Sequence, residues 1–293
     1  ANRLFAEKSY TFVGAYLDSM ARFGAPAQQV DFARSPDTAR GTINAWVSQQ
    51  TADRIKDLLP PGSVTKDTRL TLVNAIYLLA AWEHPFSEHA TRPAPFYANG
   101  GAARDVPTMN KTETFGYAAL PGVKVLNMPY AGGALAMTVL LPDERAGVAA
   151  LEERVDAAQL AAWVGALKPE RVAVALPKFK VDPAEPLALS QELSRLGMPL
   201  AFDPRRADFT GIAAPVKLED RLLVNEVFHK AFVNVDEKGT EAAAATAVVM
   251  MRATSMRPVS EPKPFVADHP FLFLIRDTRS GLVLFLGRVA DPG

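Results

Sequence analysis

The sequence predicts a fold of mixed helix and sheet. Three observations carry that expectation: helical spacing of apolar residues near the start, a nearly unbroken apolar run at Leu70–Ala81, and two apolar runs joined by a turn near the end. Of the 293 residues, 48% are hydrophobic and 22% charged, enough apolar material for a large core and too little polar excess for a disordered chain.

Taken in order, Phe12, Val13, Tyr16, Leu17, Met20 and Phe23 fall on one helical face closed by Gly24 and Pro26, so residues 11–23 read as a helix. Ile43, Trp46 and Val47, followed by Ile55, Leu58 and Leu59, give a second amphipathic pattern, read as packing helix up to Pro60-Pro61-Gly62, where helix cannot continue. Leu70–Ala81, interrupted only by Thr71, Asn74 and Tyr77, has the composition of a strand buried on both faces. Asp156 with Gln159 three residues on resembles a capping box, opening a helix through Leu160, Trp163, Val164 and Leu167. Strand character returns at Val172–Leu176, a short helix is expected over Leu187–Leu196 with Gly197 as its stop, and Leu222–Val235 is again strand-like. Phe271–Ile275 and Leu282–Leu286 read as a hairpin around Asp277-Thr278-Arg279-Ser280-Gly281. Arg257–Pro264 reads as extended and exposed.

Composition excludes several functions. Lysines and arginines number 32 and so do the acids, so no net field favours nucleic acid or an anionic membrane as partner. With no cysteine there can be no disulfide, thiolate metal site or cysteine nucleophile. Phosphate-binding glycine loops, His-Glu-x-x-His and Gly-x-Ser-x-Gly are all missing, which leaves a hydrolase without a recognisable nucleophile. His84 and His89 flank Pro85 and read as a solvated turn, not a metal pair; His229 and His269, each in an apolar stretch, read as structural hydrogen-bonding groups.

The oddest segment is Gly239–Val249, in which nothing but Glu241 is larger than valine. Composition admits two forms. Alanine favours a short helix. As a strand the same residues would put Thr240, Ala242, Ala244 and Thr246 on one face and Glu241, Ala243, Ala245 and Ala247 on the other, small enough to enter a formed sheet.

Asp236-Glu237-Lys238-Gly239-Thr240-Glu241-Ala242-Ala243-Ala244-Ala245-Thr246 closely resembles the hinge of inhibitory serpins. Phe265-Val266-Ala267-Asp268-His269-Pro270-Phe271-Leu272-Phe273-Leu274-Ile275 is similar to that family's C-terminal signature, and Asn74-Ala75-Ile76-Tyr77 with Trp82 and Phe86 fits its order. The chain thus resembles a serpin of prokaryotic, inhibitory type along its whole length, with Tyr77 followed by Leu78-Leu79-Ala80-Ala81 where the family usually has an aromatic, a basic residue and glycine. The resemblance implies an α+β fold of three β-sheets, one large and central, with surrounding helices and an exposed reactive-centre loop, all in one domain over residues 1–293. It also implies about a hundred further residues of the family fold ahead of Ala1, so a truncated chain or proteolytic product is expected.

Functionally, the resemblance implies a single-use inhibitor of serine proteases, with cysteine proteases as a further class, that traps the acyl-enzyme when its cut loop inserts into the central sheet. Non-inhibitory serpins acting as binding proteins are the alternative. Carried over residue by residue, Glu237 begins the hinge, Gly239 is its pivot, Thr240 is the first residue to insert, and Glu241, Ala242, Ala243, Ala244 and Ala245 follow. The bait bond falls between Ala253 and Thr254, with Arg252 and Arg257 as rivals. A small residue there suits an elastase-like or subtilisin-like protease, an arginine a trypsin-like one. Asn74 and His229 match the family's shutter; Trp82, Lys178 and Glu237 match its breach, where Lys178 and Glu237 are expected to pair. No catalytic residue, cofactor or metal is implied, the expected partner is the target protease, the expected state is monomeric, and family resemblance alone suggests an extracellular or periplasmic setting.

Overall fold

A computed structural model of the chain describes residues 2–98, 101–214, 221–241 and 261–293. Its first elements are β1 (Asn2–Glu7), α1 (Gly14–Arg22), β2 (Ala27–Val30), α2 (Pro36–Gln50), β3 (Leu70–Asn74) and β4 (Ala80–Ala81). Next come β5 (Arg92–Phe96), β6 (Arg104–Leu120), β7 (Val123–Pro129), β8 (Leu135–Pro142), α3 (Val148–Glu152), α4 (Ala157–Gly165), β9 (Lys168–Pro177) and β10 (Phe179–Val181). The remainder holds β11 (Leu187–Ala188), α5 (Ser190–Arg195), β12 (Phe228–His229), β13 (Val233–Val235), β14 (Gly239–Thr240), β15 (Lys263–Val266), β16 (Phe271–Asp277) and β17 (Val283–Val289). The chain forms two compact units, one of Ala1–Tyr77 with Asp182–Phe232, the other of Leu78–Val181 with Val233–Gly293.

In the first unit β1 runs parallel to β2 and antiparallel to β3. Pro36 at the first turn of α2 supplies a φ already suited to helix, and Ile43 and Val47 join Phe5, Phe32, Val73 and Phe232 in the core. Ile55, Leu58 and Leu59 join the same core without being helical, which corrects the expectation that the pattern runs as helix to Pro60. After Thr51 the backbone turns left-handed at Ala52 and Asp53, with φ of 48° and 61°. Buried side chains then replace the missing helical bonds. Asn44 donates from Nδ2 to Leu59 O and accepts from Leu59 N at Oδ1, both at 2.9 Å, and Thr51 Oγ1 accepts from Ile55 N at 3.1 Å. Glu7 closes the other end: its buried carboxylate accepts from the backbone N–H of Ser9, Phe32 and Ala33 and from the Ser9 hydroxyl. Burial alone would raise the Glu7 pKa, but these donors hold it below the ordinary glutamate range.

The second unit is built on an eight-stranded sheet in the order β15-β9-β6-β7-β8-β16-β17, with β5 added against β6. Alternate residues serve two cores: Leu126, Met137, Val139, Phe271 and Phe273 lie in one, Val125, Leu140, Leu272 and Leu274 in the other. Because both faces are covered, β8 and the Phe271–Ile275 run are buried almost throughout, which is why they read as continuous apolar runs. The Asp156 carboxylate accepts from Gln159 N at 2.7 Å and opens α4, whose Trp163 is buried. The β16–β17 turn is closed by Asp277, which accepts from the N–H groups of Arg279 and Ser280, with Gly281 at a φ of 75°.

The apolar run Leu70–Ala81 departs from expectation. It yields two strands, β3 in the first unit and β4 in the second, and it is not buried on both faces, since Leu72 and Leu79 are 64% and 52% exposed. Among the described residues its strands belong to different ladders, β2-β1-β3 and β10-β13-β14-β4. The Leu222–Val235 run similarly gives only β12 and β13, and the helix expected from Leu187 begins at Ser190 because Leu187 and Ala188 pair with β12.

Candidate functional site

The hinge sequence folds into a hairpin. Asp236 N donates to Gly239 O at 3.0 Å, and the Asp236 carboxylate accepts from Lys238 N at 2.8 Å, so the aspartate shapes the turn that returns the chain from β13 as β14. Thr240 pairs with Val235 on one side, while Gly239 and Thr240 pair antiparallel with Ala81 and Ala80 on the other. The hinge pivot, Gly239, and the residue after it, Thr240, therefore lie between β13 and β4.

Glycine at 239 is a steric necessity. Its φ is 152°, and a Cβ would stand 2.1 Å from Ala80 O and 2.8 Å from Ala81 Cα. Directly after the seated pair, Glu241 adopts a left-handed φ of 50°, which ends the strand, while its N–H still donates to Asn234 O at 2.9 Å. A non-glycine residue in that region carries roughly 1–2 kcal/mol of strain.

Around the turn the second unit forms a cradle. Trp82 N donates to Lys238 O and Trp82 Nε1 to Asp236 O, each at 2.9 Å, and Phe86 N donates to Glu237 O at 2.8 Å. The Trp82 indole stacks on Tyr130 with centroids 4.6 Å apart and planes 8° from parallel. Glu237 is buried; Lys178 Nζ lies 2.9 Å from its Oε2 and the Thr91 hydroxyl donates to Oε1 at 2.7 Å. Burial opposes the charge on Glu237, but Lys178 and Thr91 outweigh it, so the carboxyl lies below its ordinary range. Tyr130 Oη and Thr240 Oγ1 are 2.5 Å apart in the buried interior, and burial pushes the Tyr130 phenol up.

Of the residues singled out from sequence, Trp82, Lys178, Glu237, Gly239 and Thr240 come together here, with Glu241 at the exit. Asn74 donates to Asn2 Oδ1 at 2.6 Å, His229 is exposed on β12, and no hydrogen bond joins the two among the described residues. Ala242, Ala243, Ala244, Ala245, Arg252, Ala253, Thr254 and Arg257 lie outside the described residues. His269 is a buried hydrogen-bonding group, 2.8 Å from Pro142 O and 2.6 Å from Asp268 Oδ1. Tyr130 and Thr91 complete the cradle although nothing in the sequence pattern singled them out. The one signal for Tyr130 is its place between the end of an apolar strand and the Gly132-Gly133 turn, where a buried tyrosine needs a partner for its hydroxyl.

β14 is thus a two-residue strand held between β13 and β4 at a glycine that leaves no room for a Cβ. The family model described as Serpin (serine protease inhibitor) matches residues 1–292. Human Serpin B3 is 40% identical over 297 residues, spanning 100% of this chain and 74% of its own, and human leukocyte elastase inhibitor is 40% identical over 304 residues, spanning 100% and 77%. The crystal structure of uncleaved ovalbumin superposes with a TM-score of 0.85 at 30% identity, covering 100% of this chain and 76% of that one. On the family match and on these identities across the whole of this chain, the chain belongs to the serpin family.

Proposed function

We propose that the chain is a suicide inhibitor of proteases that works by loop insertion. The observation that carries this reading is the seat of β14: Gly239 and Thr240 are already laddered between β13 and β4, so the chain that follows can lengthen an existing strand without nucleating a new one. A target protease attacks the bait bond, its nucleophile takes the acyl group, and the new amino terminus departs. The loop, freed at that end, then extends β14 into the sheet before water releases the acyl group. Small side chains from Ala242 to Ala247 favour that step, because no bulky or charged group must be buried.

The bait bond is assigned to Ala253–Thr254, with Arg252 and Arg257 as the competing positions, and the target class is a serine protease with a small first pocket, elastase-like or subtilisin-like. The resemblance of the chain to leukocyte elastase inhibitor supports the same class. The inhibitor is assigned to act as a monomer. Incubation with a panel of elastase-, subtilisin- and trypsin-type proteases, followed by denaturing electrophoresis and mass analysis, tests all of this. A detergent-stable complex and release of the peptide beginning at Thr254 are expected. Cleavage after Arg252 or Arg257 would overturn the small-pocket assignment, and turnover without complex would leave a binding protein as the function.

A further inference from the structure

We propose that Tyr130 is a positioning residue for loop insertion: its hydroxyl latches Thr240 and keeps the hinge seated in the sheet before any protease arrives. The inference rests on the inhibitory reading above and adds to it a residue and a contact. Tyr130 is fixed from three sides. Its N–H donates to Leu135 O at 3.0 Å, the next N–H, of Ala131, donates to Ala81 O at 2.8 Å beside the seat, and its ring is stacked on Trp82. Trp82 is itself bonded to the hinge turn through Lys238 O and Asp236 O. The phenol therefore cannot follow Thr240 if the hinge withdraws.

Tyr130 and Thr240 are each 1% exposed, so separating them would leave a hydroxyl in a dry site, a larger penalty than the bond's net worth in water. A small apolar residue at 240 would fill the seat without holding it. The latch has two opposed effects on inhibition. Seating the hinge shortens the loop that a protease must engage, which slows association, and it supplies the first ladder pairs, which speeds insertion after cleavage. Losing it should accelerate association while more inhibitor is consumed as substrate. A purely structural defect would slow both.

The test uses the intact chain with Tyr130→Phe, Thr240→Val, their double variant and Thr240→Ser. Hydrogen exchange at the Glu241 amide, bonded to Asn234 O, reports the seat directly. Exchange roughly tenfold faster is expected in Tyr130→Phe and in Thr240→Val. With an elastase- or subtilisin-type protease, inhibitor consumed per protease trapped should rise about threefold or more in both. The double variant should be no worse than either single one, and Thr240→Ser should behave as wild type. Unchanged exchange in Tyr130→Phe, or additive effects in the double variant, would overturn the proposal. Phe keeps the ring stacked on Trp82; should that variant still fail to fold, Thr240→Val carries the same measurement. If wild type traps no protease, the inhibitory reading falls, and the exchange comparison alone decides the latch.

Discussion

Gly239→Ala tests whether the seat of the hinge is real. The new methyl would meet Ala80 O at 2.1 Å and Ala80 C at 3.0 Å, both backbone atoms of β4. An ordinary carbon–oxygen contact is about 3.3 Å, so β14 must retreat by about 1 Å or abandon its place. Retreat is not absorbed locally, because β14 has two residues, paired twice to β4 and once to β13. We expect a penalty on the seated state of roughly 2–3 kcal/mol, a thirtyfold or greater fall in its population relative to the withdrawn one. Hydrogen exchange of a peptide covering 233–241 reads that population, and Trp82 emission reads the loss of its two bonds to the turn. Faster exchange at Asp236 and Glu241 and altered emission are the expected result. Wild-type exchange at Glu241 with wild-type emission would refute the steric reasoning, since no other position in the hinge could then relieve the clash.

Three further perturbations test buried polar contacts in the two units. Lys178→Met should destabilise the second unit by about 1–2 kcal/mol in urea, less than a fully buried pair because the Lys178 side chain is 40% exposed. As the Glu237 carboxyl is held below its ordinary 4.5, the pair's contribution is complete above that pH and is lost as the pH falls through the folded value. The gap between wild type and variant should accordingly close in acid; a pH-independent gap would contradict the assignment. Glu7→Gln should cost about 2–3 kcal/mol at neutral pH by presenting an amide to donors that hold a carboxylate, the difference again being lost as the pH falls from 4.5 through the lowered folded value, as followed by denaturant titration. Asn44→Leu leaves the N–H and C=O of Leu59 without their buried partner and should lower unfolding stability by about 2–4 kcal/mol; an effect within 0.5 kcal/mol would show that the 51–59 segment finds other bonds.

What was legible in the sequence was local chemistry. Asp156 and Asp277 form their cap and turn through neighbours two or three residues away, and both could be read directly. The Ile55–Leu59 segment could not. Its apolar spacing suits a helix, but Asn44, fifteen residues earlier, satisfies its backbone better in an irregular path. Leu70–Ala81 failed for another reason: an apolar run gives no signal for where a strand breaks or which face stays open. In the hinge, alanine content argued for helix, and only the order of Glu237, Gly239 and Thr240 against the family pattern pointed to a strand. The cradle was half visible. Trp82, Lys178 and Glu237 came with the resemblance, whereas Thr91 and Tyr130 reach their partners across 146 and 110 residues, separations on which periodicity is silent.

The hinge geometry also indicates where the drive for insertion must come from. Beyond Thr240 the queue is Glu241 and then alanines and Thr246, side chains whose burial contributes little apolar area, ahead of Val248, Val249, Met250 and Met251. Over the first part of the segment the favourable change must therefore lie mainly in the backbone, in ladder bonds to the strands on either side and in release of Glu241 from its left-handed φ into the extended region. That division explains why the inserting segment can be so bland. Side chains there need only not obstruct, while the flanking strands supply the partners. It also explains why the cradle is polar and specific. A segment that gains energy uniformly along its backbone has no intrinsic stopping point, so the resting position must be defined by particular contacts at its root, and the ones present are Gly239 against Ala80, Thr240 on Tyr130, and Glu237 between Lys178 and Thr91.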